Sequence, residues 1–224
     1  MIGFFVIGTR QALKNLLSGI ALIAAAPAAA TTWIERRLAG GRDEIFNFWA
    51  HVFAMAPGLP GMYLRRSFYR LTLDECAAEF FIGFGAVFTH RHVQVEHGAY
   101  VGPYALVGAA TLRRGCLIGS RASIVSGINL HALQPDGTWG PSDMSQLSPI
   151  DIGESAWIGE AATIAADIGR GAMVSTGAVV AAAVPAGVMV AGNPARFVRV
   201  LQPPAPRPAA AVEKVYAGGL RSVD

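Results

Sequence analysis

Five histidines, His51, His90, His92, His97 and His131, are the side chains of this sequence best suited to moving a proton near neutral pH. An imidazole titrates close to neutrality, so it can take a proton from a hydroxyl or an amine as that group attacks. His131 stands apart. It is the one histidine in NLHALQPDGTWGPSDMSQLSP (129–149), a polar, Gly- and Pro-rich stretch between two regular segments. A long irregular insertion in an otherwise regular structure usually carries function. Its ring would need an orienting partner, and Asp136, Asp143 and a backbone carbonyl are all candidates. His90, His92 and His97 suggest a different chemistry, because H-x4-H preceded by a further histidine could hold a divalent ion with one position open for water. His51 has no polar neighbour in the sequence and reads as structural. Cys116 falls at the small-residue position of LRRGCL, as a buried free thiol would, and its separation from Cys76 gives no reason to expect an oxidising compartment.

The element that must position these groups is written in IDIGESAWIGEAATIAADIGRGAMVSTGAVVAAAVPAGVMVAGNPARFVRV, from Ile150 to Val200. An aliphatic residue recurs every six positions, followed by Gly and, four places on, by a small residue. Ile152-Gly153 leads to Ala156, Ile158-Gly159 to Ala162, Ile164 to Ile168, and Val174 to Ala178. Six matches neither the helical period of 3.6 nor the strand period of 2, and it is the mark of a hexapeptide β-helix. Each hexad is a short strand and a turn. The aliphatic side chain fills a narrow interior and the small residue lets the next coil stack at about 4.8 Å. Upstream the hexads begin near Phe81 and run through IGFGAV, VGPYAL and IGSRAS to IVSGIN, slipping phase near Val93 and Leu112. The reading divides the chain into a helical segment over 1–79, a β-helix over 80–200 interrupted at 129–149, and a Pro/Ala-rich tail over 201–224.

Composition constrains the partners. The chain is 53% hydrophobic and 15% charged, with a formal net charge of +3 and no dense Lys/Arg block, which speaks against nucleic acid. Leu16 to Ile34 contains no charged residue and, as a helix, would reach about 28 Å, close to the thickness of a hydrocarbon core. A signal peptide, a transmembrane anchor and a helix lying in one leaflet all fit that run. Positive charge on both flanks gives no clear orientation and fits a shallow insertion best; association with the inner membrane from its cytoplasmic side is the expectation, with a merely buried N-terminal helix as the alternative. Residues 43–72 interleave aromatics with Arg65, Arg66 and Arg70, and PGLPG (57–61) divides them into two helices that would cap the open end of the β-helix.

WIGEAATI and VVAAAVPAGVMVAGNPARFVR resemble the C-terminal half of the hexapeptide-repeat acyltransferases, in particular the membrane-associated enzymes of surface-polysaccharide pathways. The resemblance implies a left-handed parallel β-helix, a homotrimer, acetyl-CoA as cosubstrate and no metal. It implies acyl transfer to a hydroxyl, with a sugar of a polysaccharide or lipid-linked glycan as the expected acceptor. It places the general base on His131. It places cofactor contacts, largely through backbone groups between neighbouring β-helices, on Gly159, Ala161, Gly177 and Asn193, with Arg196 facing a CoA phosphate. AAAV before Pro185 departs from the more polar turn of many relatives. Two rival readings stand beside it. His90, His92 and His97 resemble the metal histidines of γ-class carbonic anhydrases, and a degenerate β-helix could serve as a non-catalytic membrane scaffold.

Overall fold

The computed structural model describes residues 2–38, 42–126, 131–143 and 147–201. Three helices come first: α1 (Ile2–Leu38), α2 (Glu44–Ala54) and α3 (Gly58–Thr72). The break between α2 and α3 falls earlier than PGLPG suggests. The chain leaves its helix at Met55–Pro57, and Gly58, Leu59 and Pro60 already form the first turn of α3. Pro60 is tolerated there because the first N–H groups of a helix have no helical partner to lose. α1 rests on α2 and α3 through Ala21, Ala25, Ala28, Ala29 and Thr32, all buried at helical spacing. One side of the alanine run 24–30, Ala25, Ala28 and Ala29, is therefore packed against the neighbouring helices, while Ala24, Ala26 and Ala30 stay exposed. On its other side α1 exposes Leu16, Ile20, Ile23 and Ile34, and Ala12–Leu38 is long and apolar enough to cross a membrane.

Two buried arginines bind the helical cap together. Arg65 donates to the carbonyls of Phe53, Ala54 and Ala56 (3.2, 3.3 and 2.6 Å), satisfying the end of α2, and to Ile82 at the start of the β-helix. Arg91 pairs with Glu35 of α1 and with Asp43, which precedes α2. The same Glu35 carboxylate accepts the N–H groups of Ile45 and Phe46 (2.5 and 3.1 Å), so one ion pair ties α1, α2 and the first coil.

From Glu75 the chain winds a three-sided prism of parallel strands. The first face stacks β1 (Glu75–Cys76), β4 (Gln94–Val95), β7 (Ala110–Leu112) and β12 (Ile150–Ile152), and bridges at Ile168 and Val184 extend it. The second stacks β2 (Phe81–Ile82), β5 (Tyr100–Val101), β8 (Leu117–Ile118), β13 (Trp157–Ile158), β15 (Met173–Val174) and β17 (Val188–Ala191). Antiparallel β18 (Arg196–Val200) closes that face. The third stacks β3 (Val87–Phe88), β6 (Leu106–Val107), β9 (Ser123–Ile124), β14 (Thr163–Ile164) and β16 (Val179–Val180).

Small and aliphatic side chains alternate inward, as the hexads require: Ala156 and Ile158, Ala162 and Ile164, Ala172 and Val174 are all essentially inaccessible. Cys116 takes an alanine's place, and burial pushes its thiol up to about 12, leaving it inert. The two phase slips share a location. The inward series passes from Phe88 to Val95 and from Val107 to Leu112 at the edge between the third and first faces, and Ile164 to Ile168 and Val180 to Val184 shorten there too. The other two edges keep six. Their turns hold a residue of positive φ in nearly every coil, such as Gly115, Ser155 and Gly171 on one edge and Arg121, Ala161 and Gly177 on the next, which fixes turn length. Among the described residues, the third edge has none outside the insertion at 129–149.

Candidate active site

The insertion leaves the prism at that variable edge, after β9, and rejoins it at β12. Residues 127–130 and 144–146 of its path, like the tail 202–224, lie outside the described residues. What is described is an antiparallel hairpin of β10 (His131–Leu133) and β11 (Trp139–Ser142), with His131 opposite Ser142 and Leu133 opposite Trp139. Gly137, at φ +83°, makes the turn. Asp136 accepts from the N–H and the hydroxyl of Thr138 (3.0 and 2.7 Å), and those bonds, the hydroxyl's first, hold its carboxyl below the usual carboxylate range. Asp136 thus shapes the turn rather than orienting the histidine. The Asp136-Gly137 pair is a strong hairpin signal, and in the sequence it could have revealed these strands.

His131 is exposed, and its Nδ1 lies 2.9 Å from the carbonyl oxygen of Gly140 on the facing strand. A carbonyl can only accept, so Nδ1 carries the proton in this arrangement. The neutral ring then offers the lone pair of Nε2 outward. Of the three orienting partners open in the sequence, a backbone carbonyl holds the ring.

The cofactor candidates sort along a different edge. Gly159, Ala161 and Gly177 line the turn between the second and third faces in successive coils, and Asn193 lies in the exposed turn that follows β17. A Cβ on Gly159 would stand 2.5 Å from the Thr176 nitrogen, so stacking alone demands glycine there. Gly177 has φ +70° but open space where a Cβ would go. The N–H groups of all three are engaged, Gly159 with Val174, Ala161 with Ser120 and Gly177 with Glu160, at 2.8–2.9 Å. A ligand on this edge would meet carbonyls and Cα surface, not free N–H donors. Arg196, in β18, is exposed and reaches the Ala195 carbonyl at 3.2 Å. It borders an apolar hollow of about 320 Å³ lined by Ala181–Pro185 and Pro194–Phe197, so the AAAV turn forms one wall beside it. Within one chain these residues and His131 belong to separate edges.

The remaining histidines do not converge. His90 Nε2 is 2.9 Å from Ser126 Oγ, His92 Nδ1 is 2.8 Å from Asp74, and His97 lies 3.7 Å from Glu79. Among the described residues of one chain no three His, Cys, Asp or Glu side chains group as metal ligands.

No family model matches the sequence, and no curated protein matches it either. Solved structures do match the shape. A maltose O-acetyltransferase of Clostridium difficile 630 superposes with a TM-score of 0.59 at 14% identity, over 70% of this chain and 86% of its own. A hexapeptide-repeat acetyltransferase of Vibrio cholerae O1 biovar eltor, complexed with acetyl coenzyme A, gives 0.52 at 15% identity, over 80% and 88%. The chain has the hexapeptide-repeat acyltransferase fold. That fold is the left-handed parallel β-helix the resemblance implied, and the six-residue rungs are those the repeat led us to expect.

Proposed function

We propose that the protein is a CoA-dependent O-acyltransferase that moves an acetyl group from acetyl-CoA to a sugar hydroxyl of a polysaccharide or lipid-linked glycan. The observation carrying this reading is the Nδ1–Gly140 bond, which leaves Nε2 of His131 free as a base. Nε2 takes the hydroxyl proton as the oxygen attacks the thioester carbonyl. The tetrahedral intermediate collapses by breaking the C–S bond, and the proton passes to the leaving sulfur, giving an ester and free CoA thiol. The two solved structures described above are acetyltransferases by description, one a complex with acetyl coenzyme A and the other a maltose O-acetyltransferase. They support the donor and the sugar class.

A homotrimer would let His131 of one subunit meet the cofactor edge, Gly159 to Asn193 with Arg196, of the next. Two apolar features favour such cover: exposed Leu133 paired with Trp139 on the hairpin, and on the second face exposed Trp157 in register with half-buried Met173 and Met189. A cyclic trimer gives each subunit two distinct contact surfaces. The exposed side of α1 supports association with the cytoplasmic surface of the inner membrane. Because α1 packs lengthwise on the cap, with Glu35 bonded to Arg91, it fits a helix lying in one leaflet better than a spanning one.

The test is thiol release from acetyl-CoA with a panel of mono- and oligosaccharide acceptors. His131→Ala should lower turnover about 10²–10⁴-fold with unchanged folding. A variant as active as wild type would remove His131 from the mechanism, and no acetyl transfer to any acceptor would favour a scaffold.

A further inference from the structure

A cleft of about 740 Å³ lies away from the hairpin, under the N-terminal part of α1. Its walls are α1, α3 and the second face of the prism in the first three coils. That face is opposite the edge from which the hairpin leaves, so a ligand here is not the reacting group of the same chain. Lys14 comes from α1, and Arg66 and Arg70 from one side of α3; the floor is apolar, made by Phe81, Tyr100 and Leu117. Phe81 and Tyr100 stack with centroids 4.7 Å apart and planes within 5°.

The charges are unbalanced. Three cations face one carboxylate, Glu79, which lies at 3.7 Å from His97. Arg66 and Arg70 are one helical turn apart, and among the described residues neither forms an ion pair. Arg66 is nevertheless held in place. It donates to Ser18 Oγ at 2.9 Å and lies 4.8 Å above the Tyr63 ring. Partial burial first, and the Arg70 charge with it, work against the Arg66 cation, while Tyr63 and Glu79 support it. Two half-buried guanidinium groups one helical turn apart, with a third cation and a single carboxylate between them, leave an excess of positive charge that suits an anion, and their planar forks suit phosphate oxygens.

We infer that this cleft binds an organic phosphate, with the phosphate between Arg66, Arg70 and Lys14 and the apolar part of the ligand over Phe81, Tyr100 and Leu117. Two sources supply that chemistry: the headgroup of a lipid phosphate drawn from the leaflet on which α1 would lie, or a soluble nucleoside diphosphate whose base covers the aromatic floor. The inference is independent of acyl transfer, since it uses none of the residues placed in that reaction.

Calorimetric titration of the full chain separates the cases. The probes are dihexanoyl phosphatidic acid below its micelle concentration, uridine diphosphate, and dihexanoyl phosphatidylcholine as a zwitterionic control. Saturable binding of the phosphatidic acid alone assigns the site to lipid, and saturable binding of uridine diphosphate alone assigns it to nucleotide. In either case Arg66→Gln with Arg70→Gln should weaken binding at least about tenfold, and Glu79→Gln should tighten it, while acetyl-CoA turnover stays unchanged. Lys14→Gln, at an exposed position, gives the same test if the double variant fails to fold. No binding of either phosphate, equal binding of phosphatidylcholine, or undiminished binding by the charge variants would overturn the inference.

Discussion

Replacing Glu35 by Ala should detach the first helix from the rest of the protein. The Glu35 side chain is 3% exposed and Arg91 4%, so the pair is dry. Truncation leaves Arg91 with Asp43 alone and strips the N–H groups of Ile45 and Phe46 of their acceptor. Arg91 Nη1 is already buried without a partner, so the guanidinium has no reserve. Breaking a buried pair by removing one member typically costs about 3–5 kcal/mol. In a chain of this size that corresponds to a melting point lower by about 10 °C. Glu35→Gln, which keeps an acceptor but loses the charge, should fall between. Arg170→Ala is the control, because Arg170 is 75% exposed and 3.4 Å from Glu154, where a pair contributes about 0–1 kcal/mol. Tryptophan fluorescence during thermal unfolding is the assay. Trp33 donates to the Leu71 carbonyl and Trp49 to Thr31, so both indoles bridge α1 and its neighbours and report its release. If Glu35→Ala melts within 2 °C of wild type, the account of that ion pair is wrong.

Glycine substitutions separate the needs of the fold from those of the cofactor. Gly159→Ala should destabilise by about 2–3 kcal/mol in chemical denaturation, because its Cβ has no room against Thr176. Gly177→Ala should cost only about 1 kcal/mol, from its positive φ; a raised KM for acetyl-CoA in that variant would place the cofactor on this edge. Burial lowers the pKa of half-buried His90, so the unfolded chain holds that proton more tightly than the native one. Its contribution to stability is complete above the ordinary histidine value and falls away as the pH drops below it. Melting curves between pH 5 and 7.5 should show this slope, and His90→Asn should flatten it. If the protein forms the proposed trimer, Trp157→Asp on the second face should lower the mass seen by sedimentation to that of the monomer; an unchanged mass would exclude this column from the interface.

The interior of the prism was open to reading because its code is local. Each aliphatic residue, its following glycine and the next small residue lie within one hexad, so Ile152 to Ala156 or Ile158 to Ala162 needs no distant information. The phase slips at Val93 and Leu112 were visible as well, though their common edge emerges only when the coils are stacked. Arg65 and Arg91 were not legible. Their partners, the end of α2 and Glu35, are chosen by packing between helices and coils, and a stretch rich in arginine reads the same whether its side chains face water or carbonyls. For His131 the sequence offered the residue and its setting. The partner that fixes its tautomer is a main-chain oxygen, Gly140, and side-chain chemistry cannot announce it. Gly159, Ala161 and Gly177 show the opposite difficulty, since a rung-to-rung ladder already accounts for them.

The uneven third edge has a consequence for how such a protein can change. Two corners are clamped by left-handed turns, and adding a residue there would throw every later rung out of step. The remaining corner tolerates steps of four, five or seven positions from one inward side chain to the next, or a whole hairpin, without disturbing the strands above or below. New segments grafted between Val107 and Ala110, or between Ile164 and Ile168, should therefore be accepted as readily as the hairpin after Ile124. The scaffold is a spindle with one open seam, and new chemistry can be sewn in along that seam while the thread keeps its pitch.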